Sequence, residues 1–330
     1  MSSNPLLAFP SMATDLERTE VELLESVQSP NAFLTEVASH LILAGGKRIR
    51  PGFTMAAATA AMSSPESVPT EVVMGGVSVE LVHLGSLYHD DVMDDALTRR
   101  TVESVNARWG NLKAILAGDF LLARASEIAA SLGTEVAGLL ASTIAKLCEG
   151  QIRELQDVYN VDRSEKDYNS SIEGKTAVLL ATAARVGGIV ADLPRDQIET
   201  LTTFGHRYGM AFQVVDDILD IVATSEHLGK PAGNDLVEGI YTLPVLHTLD
   251  TPAGESLREI LGEKLSDARR DQAREIVRSG PGISHALEVA KQFSDEAVAA
   301  LEPLQGTPAH VTLGAASDHL IQRVAEAETV

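Results

Sequence analysis

Apolar residues recur at helical spacing along most of the chain. In residues 14–27, for example, Leu16, Leu23, Leu24 and Val27 fall on one stripe of an α-helix. The same spacing predicts further helices over residues 31–43, 51–62, 68–95, 112–132, 135–158, 176–190 and 196–222. The last third of the chain has the same pattern with more charge, so we expect it to be helical too.

Turn-forming residues separate these segments. Gly45-Gly46 predicts a C-cap, and Pro51 suits the first turn of the next helix. Loops are predicted over residues 63–70, 160–171 and 225–239. No segment between the helices alternates as a strand does, and neither a solenoid repeat nor a low-complexity linker is present. The pattern therefore predicts a single all-α domain over residues 1–330.

The composition agrees with a helical, cytoplasmic protein. Hydrophobic residues make up 45% of the chain and aromatic residues only 4%, with Ala, Leu and Val abundant. Cys148 is the one cysteine, so no intrachain disulfide can form, which fits a reducing compartment. The N-terminal MSSNPLLAFP lacks the features of a signal peptide, and we expect no transmembrane segment.

The net charge limits the class of partner. With 47 acidic and 26 basic residues the chain carries −21, so its general field disfavours nucleic acid and anionic membrane surfaces. A bound anion must therefore be held by a local basic cluster or through metal ions.

Four aspartates stand close together in YHDDVMDDALTRR, residues 88–100. Asp90 and Asp94 are four residues apart and share one helix face, where their like charges repel. On its own this turn could equally be a solvated acidic surface. The same spacing recurs at Asp216, Asp217 and Asp220, inside a strongly apolar helix. Two such turns predict acidic patches that face one another and bind a divalent cation, of which Mg²⁺ suits carboxylates and phosphate oxygens.

Basic residues accompany both acidic turns. Lys47, Arg48 and Arg50 lie at a junction between two helices, and helix N-termini attract anions. The other cations of interest are Arg99, Arg100, Lys175 and Lys230. In so acidic a chain this set predicts a bound anion, for which a diphosphate is the obvious candidate.

Two other motifs are excluded. Gly174-Lys175-Thr176 resembles the end of a Walker A loop, but Asn169 stands where that loop needs glycine and no strand precedes it. His83 and His89 are six residues apart, and no HExxH spacing suggests a zinc site.

Taken in order, the motifs resemble those of the trans-isoprenyl diphosphate synthases, the polyprenyl synthetase family. They are GGKRIRP, HDDVMDDALTRR, GKT, GMAFQVVDDILD, GKPAGNDL and TLP, which extend over residues 45–244. The resemblance implies a bundle of about a dozen helices around a central catalytic cavity. It implies a prenyltransferase that condenses isopentenyl diphosphate head to tail with an allylic diphosphate, and a homodimer, for which the apolar segments 68–82 and 112–122 are candidate interfaces.

The resemblance also assigns roles to individual residues. Three Mg²⁺ ions would be held by Asp90, Asp91, Asp94, Asp216 and Asp220. The allylic diphosphate would contact Arg99, Lys175 and Lys230, and isopentenyl diphosphate would contact Lys47, Arg50, His83 and Arg100. Thr176 and Gln213 would lie near the allylic cation, and Asp235 would belong to a loop that closes over the metals. Ile240 stands where many relatives have lysine, which puts one cationic contact in doubt.

Small residues before the first acidic turn bear on product length. Val82, Gly85 and Ser86 would line the channel for the growing chain, although an ideal helical wheel turns Gly85 away from Asp90. Their small size predicts a long all-trans product of the quinone side-chain class. The alternative is that the glycines serve close helix packing. Geranylgeranyl diphosphate is the alternative product, and a class I terpene cyclase or the regulatory subunit of a heteromeric synthase is the alternative function.

Overall fold

The computed structural model describes residues 5–62, 66–224 and 232–328. It confirms the all-α prediction. The α-helices are α1 Met12–Ser26, α2 Ala32–Leu43, α3 Ile49–Ala58, α4 Thr70–Met93, α5 Val105–Trp109, α6 Asn111–Ser131, α7 Thr134–Gln156, α8 Glu165–Ile172, α9 Val178–Val190, α10 Arg195–Val222, α11 Asn234–Glu238, α12 Leu243–Leu249, α13 Gly254–Arg258, α14 Asp267–Ser279, α15 Gly282–Ala300 and α16 Pro308–Glu328. Short 3₁₀ turns cover Pro5–Ala8, Thr59–Ala61 and Glu302–Leu304, and a π-turn covers Glu173–Ala177.

Contacts divide the chain into two compact units. The first comprises Met1–Ile144, Leu179–Gly205 and Ala300–Ala316. The second comprises Ala145–Val178, His206–Ala299 and Ser317–Val330.

The core of the first unit is built around α4. This 24-residue helix packs against α1, α3 and α6, and most of its apolar side chains are buried, although Met93 at its end is 45% exposed. Phe53 on α3 meets Phe204 edge to face, with ring centroids 5.7 Å apart. Asn31 caps α2 by accepting hydrogen bonds from the backbone N–H groups of Phe33 and Leu34.

The core of the second unit is built around its shorter helices. Leu236 on α11, Leu257 on α13 and Val277 on α14 are fully buried. Tyr241 is also fully buried, and its hydroxyl accepts a hydrogen bond from the Gly262 N–H at 2.6 Å. A buried tyrosine with a satisfied hydroxyl packs without a polar penalty.

The structure differs from the sequence prediction in local detail. Residues 160–171 were expected to be a loop, but α8 begins there at Glu165, where the Ser164 side chain accepts from the Asp167 N–H. The segment 225–239 was also expected to be a loop, but it contains α11. A two-residue hairpin, β1 Thr98–Arg99 with β2 Val102–Glu103, was missed because two residues are too few to show alternation.

The candidate interface at residues 68–82 is wrong. Val72, Val77, Val79 and Leu81 are fully buried in the core of the first unit, so these apolar side chains are not available to a partner. None of the described helices combines the length and the apolar run needed to span a bilayer.

Gly187 on α9 marks the tightest helix contact of the first unit. A Cβ at this position would overlap the Thr54 carbonyl oxygen and lie 3.0 Å from the Ala57 Cβ. Because the obstacle is backbone, Gly187→Ala should lower the free energy of unfolding by about 2 kcal/mol. The measurement is the midpoint of thermal unfolding.

Gly138→Ala on α7 is the matched control. A Cβ there meets nothing within 4 Å, so alanine should stabilise the helix by about 0.5–1 kcal/mol. Equal midpoints for the two variants would contradict the packing described for Gly187.

Candidate active site

The first acidic turn is also the end of α4. Asp94 is the C-cap and Asp95 follows with φ +49°, a left-handed conformation that aspartate tolerates. The Ala96 N–H then donates to the Asp91 carbonyl oxygen at 2.9 Å, which closes a Schellman motif. Asp95 therefore ends the helix, while Asp90 remains on the last turn and is half-buried.

Asp91 points into the protein, unlike Asp94, which is exposed. Its side chain is fully buried, and Oδ1 accepts from Arg99 Nε at 2.7 Å and lies 2.6 Å from Arg99 Nη2. Burial raises the pKa of Asp91 despite the neighbouring guanidinium. Within the described part of the chain, Asp91 Oδ2 is buried without a hydrogen-bond donor. Asp91, counted among the metal ligands, therefore makes a charged contact with Arg99.

The hairpin places the second arginine. Arg100 and Thr101 form its two-residue turn with φ +53° and +67°, a conformation that normally selects glycine or asparagine. From there the Arg100 guanidinium donates to the Leu41 carbonyl oxygen at 3.0 Å and to the Gly45 carbonyl oxygen. The strained turn thus brings Arg100 against the end of α2.

These arginines belong to a basic cluster around His83 on α4. Desolvation, followed by the charges of Arg50, Arg100, Arg99 and Arg48, holds the pKa of His83 well below its usual range. The imidazole is therefore neutral at physiological pH. The structure brings together four residues expected to bind isopentenyl diphosphate or the allylic diphosphate, namely Arg50, His83, Arg99 and Arg100. Lys47 is exposed in the connection between α2 and α3.

Arg48 is the buried arginine of this cluster. It is 4% exposed and bonds both Glu20 carboxylate oxygens, the Glu80 carboxylate at 2.9 Å and the Ile42 carbonyl oxygen. A buried guanidinium satisfied by two carboxylates is a structural element. A Cβ at Gly46 would come within 2.9 Å of the Arg100 guanidinium and 3.1 Å of the Arg48 guanidinium, so glycine leaves room for both side chains.

The three residues expected to set product length lie on α4 with different surroundings. A Cβ at Gly85 would approach the Gly118 carbonyl oxygen on α6 to 3.1 Å, which agrees with the helix-packing alternative. Val82 is fully buried. Ser86 is half-buried, and its hydroxyl donates to the His83 carbonyl oxygen at 2.8 Å.

The second acidic turn lies on α10, in the second unit. Asp216 Oδ1 accepts from Arg323 Nη2 on α16 at 3.1 Å. Asp220 is buried, and its Oδ2 accepts from the Asp235 N–H at 3.3 Å. The Gly233 N–H donates to the Asp220 carbonyl oxygen at 2.8 Å. The start of α11, which carries Asp235, is thus bonded to the acidic turn.

Asp217 is buried and bonded through both oxygens. Tyr168 Oη donates to Oδ2 at 2.6 Å, and Gln213 Nε2 donates to Oδ1 at 2.8 Å. The Thr176 hydroxyl donates in turn to Gln213 Oε1 at 2.6 Å. Burial raises the pKa of Asp217 above its usual range, although the two hydrogen bonds oppose the shift.

Lys175 and Thr176 lie on the π-turn, where the Val178 N–H donates to the Glu173 carbonyl oxygen five residues back. Such turns within helices often occur at functional sites. The turn packs on Gly150 of α7, where a Cβ would come within 2.5 Å of the Lys175 nitrogen. Lys175 Nζ is paired with the buried Glu154 carboxylate.

Several site residues were missed in the sequence. Arg323 and Glu80 lie far along the chain from the residues they contact, and Tyr168 falls in a segment predicted as loop. Only contacts could reveal them. Lys230 lies outside the described residues, and among those described no group of three or more His, Cys, Asp or Glu side chains is arranged to hold a metal by itself.

Comparison with known proteins gives a consistent result. The family model described as polyprenyl synthetase matches residues 31–278. A nonaprenyl diphosphate synthase of Mycobacterium tuberculosis is 38% identical over 93% of this chain and 91% of its own. Component 2 of a heptaprenyl diphosphate synthase of Geobacillus stearothermophilus is 37% identical over 93% and 94%. A polyprenyl synthase from Caulobacter crescentus, solved with calcium and isoprenyl diphosphate, superposes with a TM-score of 0.90 at 31% identity over 97% and 98%.

Proposed function

The chain belongs to the polyprenyl synthetase family and is a prenyltransferase, and we propose that it makes a long-chain all-trans polyprenyl diphosphate. The reaction is the head-to-tail condensation of isopentenyl diphosphate with an allylic diphosphate. The observation that carries this proposal is the pair of acidic turns, each accompanied by cations, in a chain 38% identical to a nonaprenyl diphosphate synthase.

Carboxylates of the acidic turns suit Mg²⁺, of which three are expected per active site. Asp94 is exposed and Asp90 half-buried, so both offer oxygens to a hard cation that keeps waters and phosphate oxygens in its shell. Asp216 and Asp220 are the corresponding residues of the second turn. Bound Mg²⁺ would neutralise the diphosphate and favour its departure from the allylic carbon. Asp91 contributes by holding Arg99 beside this turn.

The protein's own cations hold the two diphosphates. Arg99, Lys175 and Lys230 bind the allylic diphosphate, while Lys47, Arg50, His83 and Arg100 bind isopentenyl diphosphate. Burial and, after it, the charges of the neighbouring guanidiniums keep His83 neutral, and a diphosphate bound beside these guanidiniums would relieve their mutual repulsion. Asp235 belongs to the segment that shields the reacting carbons from water, which would otherwise quench the cation.

The chemistry needs few protein groups. The allylic C–O bond breaks, and the double bond of isopentenyl diphosphate attacks the resulting cation. The oxygen dipoles of Thr176 and Gln213 stabilise positive charge where it develops. The departing diphosphate takes the proton that is lost, so no protein base is required.

The reaction class and the product length are tested together. Purified protein is incubated with geranyl, farnesyl or geranylgeranyl diphosphate, excess isopentenyl diphosphate and Mg²⁺, and the products are identified by mass spectrometry. We expect a diphosphate several isoprene units longer than geranylgeranyl diphosphate, formed only when isopentenyl diphosphate is present.

Geranylgeranyl diphosphate as the end product would contradict the long-chain proposal. A hydrocarbon formed from farnesyl diphosphate alone would indicate a cyclase. Activity that appears only after a second protein is added would indicate a heteromeric synthase.

Ser86 is the position at which product length is most directly tested. Ser86→Phe should shorten the product, because a phenyl ring fills about one helix turn of depth, 5.4 Å, comparable to one isoprene unit. The measurement is chromatography of the products. Ser126→Phe on α6 is the matched control, since Ser126 is exposed and also bonds a carbonyl of its own helix. An unchanged product from Ser86→Phe would remove Ser86 from the proposal.

The partner in solution is proposed to be a second copy of the chain. On α6, Leu112, Ile115 and Leu116 form an exposed apolar stripe, with Leu112 80% and Leu116 65% exposed. Light scattering should give about twice the chain mass of 35.1 kDa. Leu116→Glu should give monomers, whereas Val311→Glu, a control of similar exposure at 64%, should remain dimeric. An active wild-type monomer would contradict this proposal.

A further inference from the structure

A buried relay of hydrogen bonds in the second unit joins the π-turn to the second acidic turn. It runs from Thr176 through Gln213 and Asp217 to Tyr168, with donor–acceptor distances of 2.6, 2.8 and 2.6 Å. Tyr168 is 1% exposed and Asp217 is 3% exposed. Neither Asp217 nor Tyr168 has a role in the reaction described above.

The relay has one direction because Asp217 accepts through both of its oxygens. Tyr168 donates its hydroxyl proton to one oxygen, and Gln213 donates its amide N–H to the other. The Gln213 amide is then oriented with its carbonyl oxygen toward Thr176. The Thr176 hydroxyl proton is committed to that oxygen, and only lone pairs remain on Oγ1.

We propose that Asp217 and Tyr168 are positioning residues that fix the Gln213 amide so that Thr176 presents oxygen lone pairs to the allylic cation. This inference rests on the proposed function, since it concerns the charge that forms when the allylic diphosphate departs. A hydroxyl proton directed at that charge would oppose its formation, whereas a fixed lone pair stabilises it without reorganisation. The relay therefore acts on the transition state and leaves the binding of either diphosphate unchanged.

Asp217→Asn tests the direction of the relay with almost no change in shape. The new amide can donate to Gln213 Oε1, which allows the Gln213 amide to reverse and the Thr176 proton to face outward. We expect kcat to fall at least about thirtyfold while the KM values for both diphosphates stay within about threefold. Tyr168→Phe removes one of the two hydrogen bonds to Asp217 and should lower kcat roughly fivefold, again without a change in KM.

Tyr241→Phe is the matched control. Tyr241 is equally buried in the same unit, and its hydroxyl bonds the Gly262 N–H outside the relay. Its loss should lower the unfolding midpoint and leave kcat within about twofold. The inference is overturned if KM rises in the relay variants while kcat is unchanged, or if Tyr241→Phe lowers kcat as much as Tyr168→Phe does.

A double variant separates this inference from the proposed function. If Asp217 acts through Thr176, then Asp217→Asn should change kcat less than about twofold in a Thr176→Val background. Full additivity of the two effects overturns the inference even when wild-type condensation is confirmed. If the wild-type protein condenses no prenyl diphosphate, the proposed function fails. The relay is then tested by the unfolding midpoints of the same variants, and it is overturned if the two substitutions shift the midpoint additively.

Discussion

In each acidic turn one aspartate side chain points into the protein, and its orientation determines which of the other carboxylates are accessible. Consecutive residues of a helix point about 100° apart, so neighbouring aspartates cannot share a face. At the end of α4 the second aspartate, Asp91, turns inward and is neutralised by Arg99; on α10 the second aspartate, Asp217, turns inward and is bonded by Tyr168 and Gln213. A buried carboxylate must be satisfied, because leaving it bare costs several kcal/mol. Each inward aspartate therefore fixes the helix rotation that leaves Asp90 and Asp216 more accessible.

The sequence predicted the parts of this arrangement that depend on local spacing. Helical periodicity located α4 and α10 to within two residues, and the i, i+4 rule placed Asp90 and Asp94 on one face. The same rule does not say what Asp91 contacts, so its burial against Arg99 was not predicted. The left-handed turn at Arg100-Thr101 was unpredictable because neither residue favours it; contacts with Leu41 and Gly45 hold it in place.

The other features that the sequence pattern could not predict depend on contacts between residues that are distant in sequence. Arg323 is 107 residues from Asp216 in sequence, yet it donates to Asp216 and so places a cation at the second acidic turn. Ile240 stands where many relatives have a lysine. The role of the glycines on α4 could not be decided from their spacing, because a small residue can either line a channel or permit close helix packing. Contacts with α6 assign Gly85 to packing and leave Ser86 as the half-buried candidate for the channel.

The acidic composition of the chain makes its basic cluster more informative. Arg48, Arg50, Arg99 and Arg100 crowd around His83 at a cost in mutual repulsion. Glu20 and Glu80 bond Arg48, and Glu80 also lies 3.8 Å from Arg100. A cluster of guanidiniums is stabilised by a dianion that binds to it. Burial is the largest cause of the low His83 pKa, and the charges of the surrounding arginines lower it further. Those same charges favour binding of a diphosphate.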